Sequence, residues 1–269
     1  MTSGKITFIG LGLYDEKDIS LKALEEIKKS DKVYAEFYTA KLMGTNFEKI
    51  VHTINKKINV LDREEVEDGK KIIEDAENKN IAFLTAGDSM TATTHVDLHI
   101  RAIKKDIETK VIHGSSIETA VPGLLGLQNY KFGRSTTLVY PQKNYFPMSP
   151  YKVISKNKEM DLHTLVLLDI QADKQKFMTA DEALDLLLRM EEKEKKGLIE
   201  PDSVLCVVAR AGSDEPMVRA DALKNLQKMD FGSPLHTLVV PGDLHFMEID
   251  ALEVLAGLPA QLSEKLQKP

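Results

Sequence analysis

Short apolar runs alternate with longer amphipathic ones along most of the chain. Residues 6–12 (ITFIGLG), 32–38 (KVYAEFY), 58–61, 81–85 (IAFLT) and 111–113 read as strands. Each is too short for a helix and is bounded by glycine, aspartate or charged residues. Between them, residues 18–29 (DISLKALEEIKK) and 63–78 carry apolar positions three and four apart, the helical spacing. Asp62 with Glu65 fits a capping box opening the second of these helices. The first half is thus β-α-β-α, which predicts a mostly parallel sheet covered by helices.

The second half has more deeply apolar strands, at 136–141 (TTLVYP), 163–170 (HTLVLLDI), 203–210 (SVLCVVAR) and 235–241 (LHTLVVP). A helix is predicted just after Thr179, which pairs with Glu182 in a capping box. Leu184, Leu187 and Leu188 form its apolar face, and EKEKKG ends it with Gly197 at the position after the cap. The segment 142–150 (QKNYFPMSP), with two prolines and two aromatic residues, reads as a lid or an interface loop. The run Gly114-Ser115-Ser116 breaks the pattern, so the domain junction is placed there: an N-terminal α/β domain at 1–114 and a C-terminal α/β domain at 115–269.

Composition narrows the class. With 269 residues, 42% apolar and 29% charged, the chain is ordinary globular material, long enough for two domains. Its 36 basic against 42 acidic residues give a net charge of −6, which argues against general nucleic-acid binding. No apolar run approaches the ~18 residues that span a bilayer, and the opening MTSGKITFIGLGL lacks the core of a signal peptide. A cytoplasmic protein with no membrane partner is expected. The single cysteine, Cys206, excludes disulfide frameworks and cysteine-rich zinc sites, and its place in an apolar strand reads as a small buried hydrophobe.

Three strand-to-helix turns carry the candidate chemistry. Gly10 and Gly12 let backbone approach a ligand or turn tightly. A dinucleotide fingerprint needs a third glycine where Asp15 stands, and Asp15, Glu16 and Asp18 put negative charge where a pyrophosphate would lie. A plain turn and a phosphate-free ligand are both open there. At the second turn, Asp88 either accepts hydrogen bonds from a ligand or caps a helix beginning near Ser89. The third is Gly114-Ser115-Ser116-Ile117, whose hydroxyls suit a helix cap or a carboxylate. His95 and His99, four apart on a helix, have the spacing of a metal pair but no third ligand, so no metal is expected. Arg101, Lys104 and Lys105 read as a solvated face, with a docking patch as the lesser alternative. No nucleophile triad and no phosphate-binding P-loop can be picked out.

Taken in order, ITFIGLGLYDEKDIS, FLTAGDSMTATTH, VIHGSSIETAVPGLLGLQNYKFG, HTLVLLDIQA, VVARAGSDEP and SPLHTLVVPGDLHFMEID closely resemble the diphthine synthases, a family in the tetrapyrrole-methylase-like group of methyltransferases. The resemblance runs from about residue 6 to residue 256. It implies two α/β domains, the first with a mostly parallel and the second with a mixed sheet, a cofactor in the cleft between them, and a homodimer. The implied cofactor is S-adenosyl-L-methionine, leaving as S-adenosyl-L-homocysteine. The implied partner is translation elongation factor 2, whose aminocarboxypropyl-modified histidine receives methyl groups up to the trimethylammonium product. Carried over position by position, the cofactor site comprises Leu13, Asp88, Thr91, Ser116 and Ile117, completed by Leu168, Ala211 and His236. The family commonly has proline where this chain has Ala86 and Ser89, which frees the turn's φ angles and leaves Asp88 in place. No general base is named.

The alternatives are a methylase of the same fold with a tetrapyrrole or other small-molecule acceptor, a ligand sensor without turnover, and a dehydrogenase using Gly10, Gly12 and Glu36.

Overall fold

The structure, a computed structural model, describes residues 4–143 and 145–267. It divides into two compact units, one of residues 1–117 with 170–175, the other of residues 118–169 with 176–269. Each is built on its own five-stranded sheet.

The first unit contains strands β1 (Lys5–Gly10), β2 (Lys32–Glu36), β3 (Ile58–Val60), β4 (Asn80–Thr85) and β5 (Glu108–Ile112), all parallel, in the order β3-β2-β4-β1-β5. Helices α1 (Leu21–Lys29) and α2 (Phe47–Ile54) supply one face and α3 (Arg63–Asp68), α4 (Lys70–Ala76) and α5 (His95–Ile103) the other. Alternate strand residues feed two cores. Ile9, Val33, Ala35, Ala82 and Leu84 lie with Ala23, Ile27, Ile50 and Ile54, whereas Phe8, Tyr34, Ile81 and Phe83 lie with Val66, Ile72, Ala76 and Leu98. Burial on both faces is why these strands read as unbroken apolar runs.

Three helix assignments in this unit differ from the sequence reading. Helix α1 starts at Leu21, because Ser20 caps it by accepting from Ala23 N–H at 3.1 Å and Asp18 is engaged elsewhere. The predicted helix at 63–78 is two helices broken at Gly69, whose φ of +61° ends α3. Arg101 accounts for the break: its guanidinium donates to the carbonyls of Glu67 and Asp68, so Arg101 is a cap and not part of a solvated face. No helix begins near Ser89; α5 starts at His95.

The second unit has α6 (Ile117–Leu125), which begins in the first, then β6 (Thr136–Leu138), α7 (Ser149–Lys158) and β7 (Thr164–Leu168); the short strand β8 (Ile170–Gln171) belongs to the first unit, and β9 (Lys176–Phe177) returns to the second. There follow α8 (Ala180–Glu194), β10 (Val204–Ala209), β11 (Met217–Ala222), α9 (Leu223–Leu226), β12 (His236–Val240), α10 (Phe246–Ala256) and α11 (Ala260–Leu266). The sheet order is β11-β10-β12-β7-β6, with only β6 and β7 parallel, so it is mixed. Helix α8 opens as predicted, Glu182 accepting from Thr179 N–H at 3.0 Å. It closes at Lys195 in the left-handed region, two residues before the predicted glycine. Glu191 draws the chain back there, accepting from Gly197, Leu198 and Ile199 N–H and from the Tyr151 hydroxyl. The segment 142–150 ends in a helix, α7; its Phe146 packs on the core, and residue 144 lies outside the described residues. Cys206 is fully buried and its thiol is pushed up to about 12 by burial, as expected of a core residue. Among the described residues no helix is long and apolar enough to cross a membrane.

One buried carboxylate ties this unit together. Glu248, in the first turn of α10, is wholly buried and accepts from Gln128 N–H, His245 N–H, the Lys131 ammonium and His163 Nε2, all at 2.8–2.9 Å. His163 Nδ1 accepts from Gly242 N–H, so its proton sits on Nε2, facing Glu248. Burial would raise the Glu248 carboxyl, but these donors together hold it at about 2.

The linkage sign follows. An unfolded glutamate titrates near about 4.3, so between there and about 2 the unfolded chain binds the extra proton and stability falls as pH drops. Glu248→Gln is expected to cost on the order of 3 kcal/mol near neutral pH and to flatten that acid limb. Urea unfolding curves of both proteins across that range check it; parallel limbs would refute the assignment.

Candidate functional site

The carboxyl ends of β4, β1 and β5 meet through three glycines. A Cβ on Gly10 would lie 2.5 Å from both Gly114 N and Gly87 O, and one on Gly114 would lie 2.4 Å from Gly87 O and 2.7 Å from Gly10 C. Side chains are therefore excluded and backbone packs on backbone. Past the strands, Gly12 and Gly87 form a two-bond bridge, Gly12 N–H donating at 3.2 Å and Gly87 N–H at 2.6 Å. The approach the sequence suggested for Gly10 and Gly12 is real, and its first use is structural.

The turn after β1 has its backbone donors already occupied. The N–H groups of Leu13, Tyr14 and Asp15 converge on Asp18 Oδ2 at 3.1, 2.7 and 3.4 Å. Such a nest of backbone donors is where a phosphate would sit in a dinucleotide fold. Here the chain's own carboxylate fills it. Glu36, the acid a dehydrogenase would aim at a ribose, is fully buried and accepts from Tyr38 N–H, Thr39 N–H and the Thr39 hydroxyl. Both facts overturn the dinucleotide reading.

Asp88 follows β4 and is nearly buried, at 7% exposure. Its Oδ1 accepts from Met90 N–H at 2.9 Å and the Thr91 hydroxyl at 3.4 Å, closing a turn rather than capping a helix. Its Oδ2 meets His113 Nδ1 at 2.8 Å. The turn is also held from behind. His95 Nδ1 and the Thr93 hydroxyl donate to Ser89 O at 3.0 and 3.1 Å, and His95 Nε2 lies 3.5 Å from Glu36 Oε1. His99 Nε2 instead pairs with Thr109 Oγ1 at 2.9 Å, so the two histidines have separate partners. Among the described residues no group of three histidine, cysteine or acidic side chains forms a metal cluster. Gly87, at φ +73°, leaves open space where a side chain would point.

Of the sequence-derived site residues, Leu13, Asp88, Thr91, Ser116 and Ile117 thus gather at the carboxyl ends of β1, β4 and β5. Leu13 N–H is committed to Asp18. In the second unit, Leu168 ends β7, His236 starts the adjacent antiparallel β12, and Ala211 follows β10, so all three share one end of that sheet. Arg210, in the left-handed region, and Gly212 turn the chain around Ala211. His236 is 5% exposed; its Nδ1 accepts from Ala180 N–H at 3.0 Å and its Nε2 donates to Ser233 O at 3.1 Å. Burial lowers its proton affinity, and both ring nitrogens are used within the fold. His113 was missed by the sequence reading. It follows β5 directly before the Gly114-Ser115-Ser116 turn, and only folding brings it to Asp88, 25 residues away in sequence.

Comparison with known proteins bears on this geometry. Residues 5–227 match the family model of tetrapyrrole (corrin/porphyrin) methylases. A diphthine synthase of Methanococcus maripaludis (strain C7) is 55% identical over 251 residues, covering 93% of this chain and 98% of that protein. One from Methanocaldococcus jannaschii is 55% identical over 249 residues, covering 91% and 96%. A diphthine synthase crystal structure superposes with a TM-score of 0.89 at 40% identity, covering 97% and 99% of the two chains.

The glycine contact predicts unequal costs for equal changes. Gly114→Ala drives a methyl into immobile backbone and should cost about 3 kcal/mol. Gly87→Ala meets open space and pays only for its positive φ, about 1 kcal/mol. Urea unfolding of the two variants decides; similar losses would show that the strand ends can part.

Proposed function

The chain belongs to the tetrapyrrole methylase family and, within it, to the diphthine synthases, and from that premise we propose how its residues serve methyl transfer. It is a methyltransferase of diphthamide biosynthesis. We take the methyl donor to be S-adenosyl-L-methionine, the acceptor to be the aminocarboxypropyl-modified histidine of translation elongation factor 2, and the setting to be the cytoplasm. Methylation proceeds to the trimethylammonium product in this reading.

The observation that carries the donor assignment is the nest filled by Asp18. A ligand with phosphates would find its donors taken and acids nearby, whereas a sulfonium with an ammonium and one carboxylate suits an acidic, glycine-lined turn. When bound, the donor supplies a methyl group on positively charged sulfur. Leu13, Asp88, Thr91, Ser116 and Ile117 would hold it at the strand ends of the first unit; Leu168, Ala211 and His236, at one end of the second sheet, are the further residues that the family resemblance implies. Asp88 is held by Met90 N–H and by Thr91, and its carboxylate adds negative charge beside a cationic ligand. Alignment of nitrogen, methyl and sulfur supplies the acceleration, so rigid backbone at the strand ends serves the chemistry.

The proposed homodimer is supported by α10. Ile249, Leu252 and Ala256 are buried on one side, while Met247, Val254 and Leu255 on the other are 56%, 83% and 50% exposed. Exposed apolar side chains gathered on one helix, beside the exposed Asp250, suit cover by a second copy.

Two outcomes are expected. Asp88→Ala should weaken binding of S-adenosyl-L-homocysteine by about tenfold or more, with an unchanged circular dichroism spectrum; calorimetry showing equal affinity would remove Asp88 from the site. Leu255→Glu should convert a dimer to monomer in sedimentation equilibrium, and an unchanged mass would place the interface elsewhere. The activity itself is tested by intact-mass analysis of the modified elongation factor 2 incubated with the chain and S-adenosyl-L-methionine. Additions of methyl mass at that histidine support the reading; none, with the cofactor bound, would redirect it to other acceptors.

A further inference from the structure

An amine cannot attack while protonated, and each methylation leaves an alkylammonium that must shed a proton before the next. The site therefore needs a group that accepts protons at its edge. His113 is in that position. It lies between Ile112, the last residue of β5, and Gly114 of the glycine contact, three residues before Ser116. Its Nδ1 is 2.8 Å from Asp88 Oδ2, while its side chain is 76% exposed and that of Asp88 only 7%. An ionised carboxylate only accepts, so the proton of the neutral ring sits on Nδ1 and the lone pair on Nε2, the outward nitrogen. Asp88 in turn cannot swing away, since Met90 N–H and Thr91 fix its other oxygen. Among the described residues Asp88 is the charged side chain within hydrogen-bonding reach of the ring, and Lys110, on the same strand, is paired with Glu26 at 3.0 Å. A buried acid orienting an exposed imidazole is the arrangement of a general base with its positioning residue.

We propose that His113 is the catalytic base of the transfer, its Nε2 taking the proton from the substrate's ammonium group, with Asp88 fixing the ring and facing the imidazolium that forms. This rests on the methyltransferase reading above. The freed nitrogen's lone pair makes the N–C bond while the S–C bond of the donor breaks with its electron pair on sulfur. The proton passes from His113 to solvent before the next cycle. The quaternary product has no proton left to give, so three deprotonations of the starting ammonium accompany three transfers.

The test separates base from scaffold. His113→Asn keeps an N–H in place of Nδ1 for Asp88 but has no nitrogen that titrates. It should bind S-adenosyl-L-homocysteine within about twofold of wild type and transfer methyl at least ~10²-fold more slowly, with part of the rate restored to His113→Ala by added imidazole. Independently of turnover, nitrogen-15 NMR of the full-length chain without ligand should show His113 as the Nδ1–H tautomer, and Asp88→Asn should shift that signal. An unchanged rate in His113→Asn overturns the proposal. So does a loss of ligand affinity that accounts for the loss of rate, or an Nε2–H tautomer in the wild type. A wild-type chain that fails to bind S-adenosyl-L-homocysteine would be a different result, undoing the methyltransferase reading together with what rests on it.

Discussion

Backbone packed against backbone, with no side chain between, is the constraint on which the first unit depends. Gly10, Gly87 and Gly114 come from three neighbouring strand ends, and each occupies the volume another's Cβ would need. This contact brings the turns after β1, β4 and β5 together and leaves main-chain atoms, rather than rotamers, to define the ground between them. The two-bond bridge between Gly12 and Gly87 extends the contact beyond the sheet, so the site's floor is as fixed as the sheet itself.

Around that floor, charge is disposed in a consistent way. Asp18 occupies the donors of the first turn, Asp88 those of the second, and Glu36 those following β2. Each carboxylate is held by backbone N–H groups, which satisfies the charge at little conformational cost and makes the strand ends acidic. This arrangement fills with a carboxylate the backbone donors that a phosphate would use at the first turn. It also means the same group can do two things: Asp88 closes its own turn with one oxygen and orients His113 with the other. The second unit uses the same device for packing, where Glu248 gathers two backbone donors, a lysine and a histidine at the start of α10.

The pattern of the chain specified much of this. Short apolar runs located the strands of the first sheet, and the parallel order follows from helices placed between them. Less was legible where local signals compete. The helical spacing of 63–78 is continuous in sequence, yet Arg101, 32 residues beyond Gly69, caps α3 and permits the break. Strand β11 (MVRADA) carries weak apolar character and is made a strand by pairing with β10 along its whole length. Helix α2 and helix α7 went unread because their apolar faces are short, two or three buried positions each.

The sequence by itself determined the family, the α/β class, the three glycine-bearing turns and the identity of Asp88 as the residue to watch, because these rest on local spacing and on motifs contiguous in the chain. Only the tertiary structure decided what each group is doing. It put Asp18 into the nest, which removed the dinucleotide reading, and turned Arg101 from a surface charge into a helix cap. It committed both nitrogens of His236 to the fold, and it set His113 against Asp88 with one nitrogen outward. The physical reason is the same in every case. A hydrogen bond is decided within about 3 Å in space, and parallel strands bring residues to that distance across twenty or thirty positions of chain, where sequence spacing carries no trace of it.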